Sequence, residues 1–178
     1  MTVYTIGHSN LDLEAFLERL RSFCIELVAD VRQYPGSRAF PHFGKERLSA
    51  ALREAGIEYR HMPALGGRRR PIADSPNTGW DVEAFRAYAD YAWTPAFREA
   101  LDELVAMARE KRTAILCAEA VPWRCHRRIV SDYLLSRGIE VVHIIAPGKA
   151  DEAKLTPFAE ILPDGRIVYP AGSDSPPS

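Results

Sequence analysis

The sequence is short of several things, and each scarcity narrows what it can be. Its 178 residues contain only three cysteines, an odd number without framework spacing, which argues against a disulfide scaffold. No apolar run approaches the roughly 18 residues expected of a membrane-spanning helix, so no membrane partner is expected. A net charge of −1 leaves no global basic field to draw the chain to nucleic acid or anionic lipid. Neither a Walker-type phosphate loop nor a G-x-G-x-x-G fingerprint occurs, which removes direct support for a nucleoside triphosphate or a dinucleotide. The opening MTVYTIGHSN has no basic n-region or long apolar h-region of a secretory signal, and the expected location is cytoplasmic. There is no internal repeat and no linker.

What is present is an ordinary globular composition, 47% hydrophobic and 26% charged, in a length suited to one domain. The expected domain spans 1–170, with 171–178 as a disordered tail rich in Gly, Ser, Asp and Pro. Short β-prone runs at 2–6, 26–31, 57–61, 112–117 and 141–145 read as strands. Between them, apolar residues at helical spacing mark helices. The first carries Leu13, Phe16, Leu17 and Leu20 behind a cap at Ser9 or Asn10. The next, over 43–55, is closed by Gly56. Two more follow, one capped by Asp81 and one started by Thr94–Pro95, and a last helix reaches about Arg137. Residues 158–162 and 166–169 flank a Pro-Asp-Gly turn as a hairpin. This order predicts a single layered α/β domain, with a mostly parallel central sheet flanked by helices and a C-terminal β-hairpin. Pro63 to about Gly79 reads as a long loop of the kind that is often functional.

In such folds ligands bind beyond the carboxyl ends of the strands. That edge collects the reactive residues of this chain. The first strand ends at Gly7-His8-Ser9, the second at Asp30-Val31-Arg32, and the third leads to Gly66-Gly67-Arg68. The fourth opens Cys117-Ala118-Glu119-Ala120-Val121-Pro122-Trp123-Arg124-Cys125-His126-Arg127-Arg128, the densest chemistry in the sequence.

Cys125 falls at or just before a helix start, where unpaired N–H groups, the helix dipole and neighbouring arginines favour a thiolate. It is a candidate nucleophile; the plainer alternative is a buried, inert cysteine. Cys117, at the strand end, can approach it and form a reversible disulfide in which one thiol attacks and the other resolves. Zinc or iron held by Cys117, Cys125 and His126 with Glu119 or His8 ranks lower, because the spacing matches no common pattern and the arginines disfavour a cation. No metal site and no cofactor is assigned, and the oligomeric state stays open. An anion is favoured, with the helix start, Arg32, Arg127 and the Gly66-Gly67-Arg68 loop as its contacts. His8, partnered by Asp30 or Glu119, is a candidate acid or base, and His126 is a second. Glu119 and Asp30 have an alternative role in orienting arginines, Ser9 adjoins the same strand end, and Trp123 can stack a base or sugar.

These motifs resemble one family. Thr5-Ile6-Gly7-His8-Ser9, Asp30-Val31-Arg32 with Pro35 and Ser37, Leu65-Gly66-Gly67, and Cys117-x-Glu119 followed by Cys125-His126-Arg127 recur in this order in the bacterial and archaeal domain of unknown function 488. The resemblance covers residues 3 to about 145. It implies a cytoplasmic α/β protein whose site is the Cys-x-Glu…Cys-His-Arg element, and it names no reaction. The expected function is an enzyme acting on an anionic, phosphorylated or nucleotide-like substrate, with Cys125 as thiolate. The alternatives are a nucleic-acid module using the nine Lys and Arg set against three acids between Arg32 and Arg70, or a Cys117/Cys125 redox or metal-binding protein.

Overall fold

Apolar, β-branched runs that are buried at nearly every position can only be interior strands, and three such runs make the middle of the sheet. These are β1 (Thr2–Gly7), β2 (Leu27–Asp30) and β4 (Thr113–Cys117). The structure, a computed structural model, describes residues 1–36 and 38–172. Ser37 and most of the expected tail, 173–178, lie outside the described residues. With β3 (Glu58–His61), β5 (Glu140–Ala146) and β6 (Lys149–Glu152), the described residues form a six-stranded sheet in the order β3-β2-β4-β1-β5-β6. The first five strands are mutually parallel and β6 runs antiparallel against β5. The expected C-terminal hairpin is present as β7 (Glu160–Ile161) and β8 (Ile167–Val168).

Strand periodicity of two sorts the side chains into two cores. On one face Val3, Ala29, Ile115 and Val141 pack against α3 (Glu83–Tyr91), α4 (Pro95–Glu110) and α5 (Arg127–Ser136). On the other, Tyr4, Ile6, Val28 and Leu116 pack against α1 (Leu13–Ser22) and α2 (Lys45–Glu54). The connections leaving β1 and β2 go to α1 and α2, whereas β4, lying between those strands, feeds α5 on the opposite face. The chain therefore parts on both sides of β4, which opens a crevice at its carboxyl end.

Local details differ from expectation at several starts. Asp12, not Ser9 or Asn10, caps α1, its Oδ1 accepting from Ala15 N at 2.7 Å. Ser9 is instead in the left-handed region at φ 46°, and its N–H extends the β1–β4 pairing to Ala118 O. Helix α2 starts at Lys45 after a 3₁₀ turn over Pro41–Phe43, and α3 starts at Glu83 with Val82 at its N-cap position. Thr94 does cap α4, and Gly56 and Gly138 close their helices at φ 78° and 76°.

The 63–79 loop is pinned over much of its length. Ser75 Oγ and Asn77 Nδ2 both donate to Asp90 Oδ1, Gly79 N donates to Tyr169 O, and Trp80 is fully buried. The segment after β6 is tied to α5 by Asp132, whose two oxygens accept from Thr156 N at 2.9 Å and Tyr169 Oη at 2.8 Å. Arg128 adds a bond from Nε to Thr156 Oγ1. Among the described residues, no helix is long and apolar enough to cross a membrane.

Candidate functional site

The crevice beyond β4 is a cavity of about 720 Å³, within the range of small-molecule sites. His8 and Ser9 line it from β1, and Arg32, Gln33 and Tyr34 from β2. Gly67 and Arg68 come from the loop after β3, and Cys117, Glu119, Arg124, Cys125 and His126 from the stretch after β4. Gly7 makes this convergence possible. A Cβ there would run into the carbonyl of Glu119, because the chain after β4 folds back directly over β1.

The two cysteines meet inside the cavity, Sγ to Sγ at 3.2 Å, with Cys117 buried and Cys125 half-buried. Cys125 follows a 3₁₀ turn over Pro122–Arg124 and precedes His126, the residue at the N-cap of α5. Its sulfur receives the N–H of Arg127 at 3.4 Å and the Nε–H of the same residue at 3.1 Å. Backbone amide and guanidinium groups only donate, so this sulfur is placed as an acceptor. The N–H groups at this helix start are directed at the Cys125 sulfur itself.

Arg127 is 1% exposed. Its remaining donors reach Thr5 Oγ1 at 3.2 Å and the backbone carbonyl of Glu119 at 2.5 Å. Among the described residues its guanidinium has no ion-paired carboxylate. Burying a cation without a counter-charge costs several kcal/mol, and the sulfur of Cys125 is the group placed to supply one. Burial opposes charge on Cys125, but the Cys117 thiol, Arg127 and His126 outweigh it and bring Cys125 down to about 5. Burial, together with the neighbouring Cys125 sulfur, drives Cys117 well up. These opposite shifts favour charge on Cys125 over charge on Cys117.

Arg32 is fixed from behind. Its Nε and Nη2 bond both oxygens of Asp30 at 2.9 and 2.8 Å, and Nη1 donates to Phe43 O. Asp30 is itself buried and also takes the Tyr59 hydroxyl. This occupies three of the five guanidinium N–H groups. Asp30 lies beneath the cavity and not on its wall, where it positions Arg32.

His8 is 3% exposed and stacks on Phe43 with ring centroids 4.4 Å apart. Its Nδ1 is 2.8 Å from Ser9 O, so Nδ1 carries the proton and Nε2 is a bare acceptor. Burial lowers the pKa of His8, with Arg32 adding to the effect and the Ser9 bond opposing it. His126 is held in the other sense, Nε2 donating to Val31 O at 2.9 Å, and burial also lowers its pKa.

The loop residues divide. Gly66 lies against the backbone of Gln33, with no room for a side chain, and Gly67 passes the His126 ring. Arg68 lines the cavity near Tyr34, while Arg69 is turned back to Gly66 O and Pro63 O over the Tyr91 ring. The Glu119 side chain is on the exposed part of the rim, and it is the main-chain carbonyl of this residue that orients Arg127. Trp123, 59% exposed, is outside the cavity lining, and Arg127 lies behind it. Among the described residues no three His, Cys, Asp or Glu side chains are grouped to hold a metal ion.

Two participants escaped sequence reasoning. Thr5 and His143 share the α5 face of adjacent strands, in register with each other, and extend the contacts of Arg127 inward. The available signal was a single polar residue inside each of two otherwise apolar strands.

Fold and site together define a three-layered α/β protein with an arginine-held sulfur at its strand-end crevice. A model of the family described as domain of unknown function 488 matches residues 12–134, and the chain belongs to that family. The matched span includes Asp30–Arg32, Gly66–Gly67 and the whole Cys117–Arg128 stretch, and begins after the β1 motif. No curated protein and no solved structure matches the chain.

Proposed function

We propose that the protein is an enzyme acting on an anionic small molecule, phosphorylated or nucleotide-like in its charge, with Cys125 as the attacking thiolate. The observation that carries this reading is the pair of Arg127 N–H groups directed at Cys125 Sγ within a cavity of small-molecule size. The thiolate is the reactive form of cysteine, and here a buried cation favours it. Arg32, with two N–H groups left over, and Arg68 and Arg124 on the wall supply positive charge for the substrate. Neutral His8, with Nε2 bare, serves as the base for a proton released on the same wall. A cytoplasmic setting agrees with a site that needs reduced thiols.

The nucleic-acid alternative draws on the Arg32–Arg70 stretch, but that stretch is partly spent. Arg32 is bound to Asp30, Arg60 pairs with Glu58 and Glu103, and Arg69 is folded over Tyr91. The cavity reading is therefore preferred.

The test is alkylation of Cys125 by iodoacetate across pH, in a Cys24→Ser background, with and without inorganic phosphate. The expected result is full reactivity at neutral pH and slowing by phosphate. An apparent pKa near the ordinary value of about 8.5, indifferent to phosphate, overturns the proposal.

A further inference from the structure

We propose that Cys117 is a second catalytic thiol, and that the site reduces small anionic disulfides through a Cys117–Cys125 bond. This rests on Cys125 being the thiolate nucleophile and names the atom it attacks, a sulfur.

The argument is about direction. Cys117 is buried beneath Cys125, 3.2 Å from its sulfur, and its other polar neighbours are Glu119 O at 3.6 Å and the Arg127 guanidinium. From there it faces one electrophile only, the sulfur of Cys125. That sulfur is electrophilic only after it has accepted a group that leaves with an electron pair. Attack on phosphorus or an acyl carbon would leave Cys125 bonded to an atom that Cys117 faces only across the intervening sulfur. Attack on a disulfide makes a mixed disulfide, in which Cys125 sulfur is the atom Cys117 needs. The two sulfurs must close by roughly 1 Å to reach a bond of about 2.05 Å.

Arg127 fits both steps. While Cys125 is a thiolate, the buried guanidinium faces its charge. Once Cys125 is bonded to substrate sulfur, that charge is gone and Arg127 is left without a counter-ion. Its attraction then falls on Cys117, whose thiolate it also favours. One fixed cation thus activates the two thiols in succession.

The reaction balances as follows. Cys125 thiolate attacks one sulfur of R–S–S–R, forming Cys125–S–S–R and releasing the first R–S⁻. Cys117 gives up its proton to solvent or to the departing thiolate and attacks Cys125 sulfur. The second R–S⁻ leaves and the protein disulfide remains. Two electrons pass from the protein to the substrate, and a dithiol reductant restores the starting pair by the same exchange in reverse. The arginines on the cavity wall select a disulfide that carries carboxylates.

The test uses the full chain with Cys24→Ser, which removes the exposed thiol placed between α1 and β2, at the opposite edge of the sheet. Oxidised glutathione is the anionic probe and cystamine the cationic one. Cys117→Ser is the informative variant, because its hydroxyl can still donate to Cys125 and cannot form a disulfide. The parent is expected to release two equivalents of glutathione and finish, by intact mass, as an internal disulfide without adduct. Cys117→Ser is expected to release one equivalent and stop as a Cys125 adduct. Cystamine should react more slowly than oxidised glutathione. A parent protein that stops at the adduct overturns the proposal whether or not the variant folds, and equal or faster reaction with cystamine overturns its anionic substrate class. If iodoacetate alkylates Cys125 at neutral pH but neither disulfide reacts, the thiolate stands and its sulfur substrate falls. If iodoacetate fails as well, both readings fall.

Discussion

Thr5 Oγ1 lies 2.6 Å from His143 Nδ1 and accepts from Arg127 Nη1 at 3.2 Å. Burial, with Arg127 adding to it and Asp151 opposing, lowers His143 to about 4. A line of hydrogen bonds runs from the sheet interior to the Cys125 sulfur.

Thr5→Val keeps the shape and removes the oxygen. It leaves one Arg127 donor and His143 Nδ1 without their partner, so stability is expected to fall by about 1–3 kcal/mol, read from urea denaturation. An unchanged midpoint would mean that solvent reaches Arg127 Nη1.

Arg127→Met removes the counter-charge from Cys125. Each unit of pKa is tenfold in thiolate below the pKa, and alkylation at mildly acidic pH is expected to slow by about tenfold or more. The linkage has a defined sign. A depressed thiol pKa contributes stability that is complete above the unfolded value of about 8.5. It is lost as pH falls through the folded value of about 5. The stability advantage of the native protein over Cys125→Ser should therefore shrink on acidification through that window, in chemical denaturation run at a series of pH values.

Asp30→Asn leaves the Arg32 guanidinium buried with its charge uncompensated. Breaking such a pair from one side costs about 3–5 kcal/mol. The same change frees Arg32 from its fork, so protection of Cys125 by phosphate is expected to weaken along with the thermal midpoint. Protection at full strength would assign the anion to Arg68 and Arg124 instead.

His8 should be neutral at neutral pH, with the proton on Nδ1. Nitrogen-15 NMR of the ring reads both properties at once. The midpoint is expected below the unperturbed 6.5. A midpoint above 6.5, or a proton on Nε2, would remove His8 from the role of base.

The parallel sheet was legible because apolar runs such as Val3–Ile6 and Ala114–Leu116 have no other place to go than an interior. β6 was not, because Lys-Ala-Asp-Glu has no apolar alternation; it is an edge strand whose charges face solvent. The location of the site followed from the rule that ligands gather at strand ends. The division of labour within it did not. Arg127 and Arg32 are both arginines near the strand ends, and only burial and partners reveal that one is directed at a sulfur while the other is forked on Asp30 at the cavity wall. Asp12 outcompeted Ser9 as a cap because Ser9 is committed to pairing with Ala118, a long-range contact with no local signature.

The bonds from Asp132 and Arg128 to Thr156 and Tyr169 have a further consequence for the thiolate. Helix α5 begins with the residue that cradles Cys125 and is moored five residues later by chain lying beyond position 150. The family match stops at residue 134. Cys117, Cys125 and Arg127 thus belong to the shared pattern, whereas the ballast that keeps their helix still is carried by a stretch outside it. Trimming that stretch would strand Asp132 without its donors and loosen the floor under a sulfur more than twenty residues upstream.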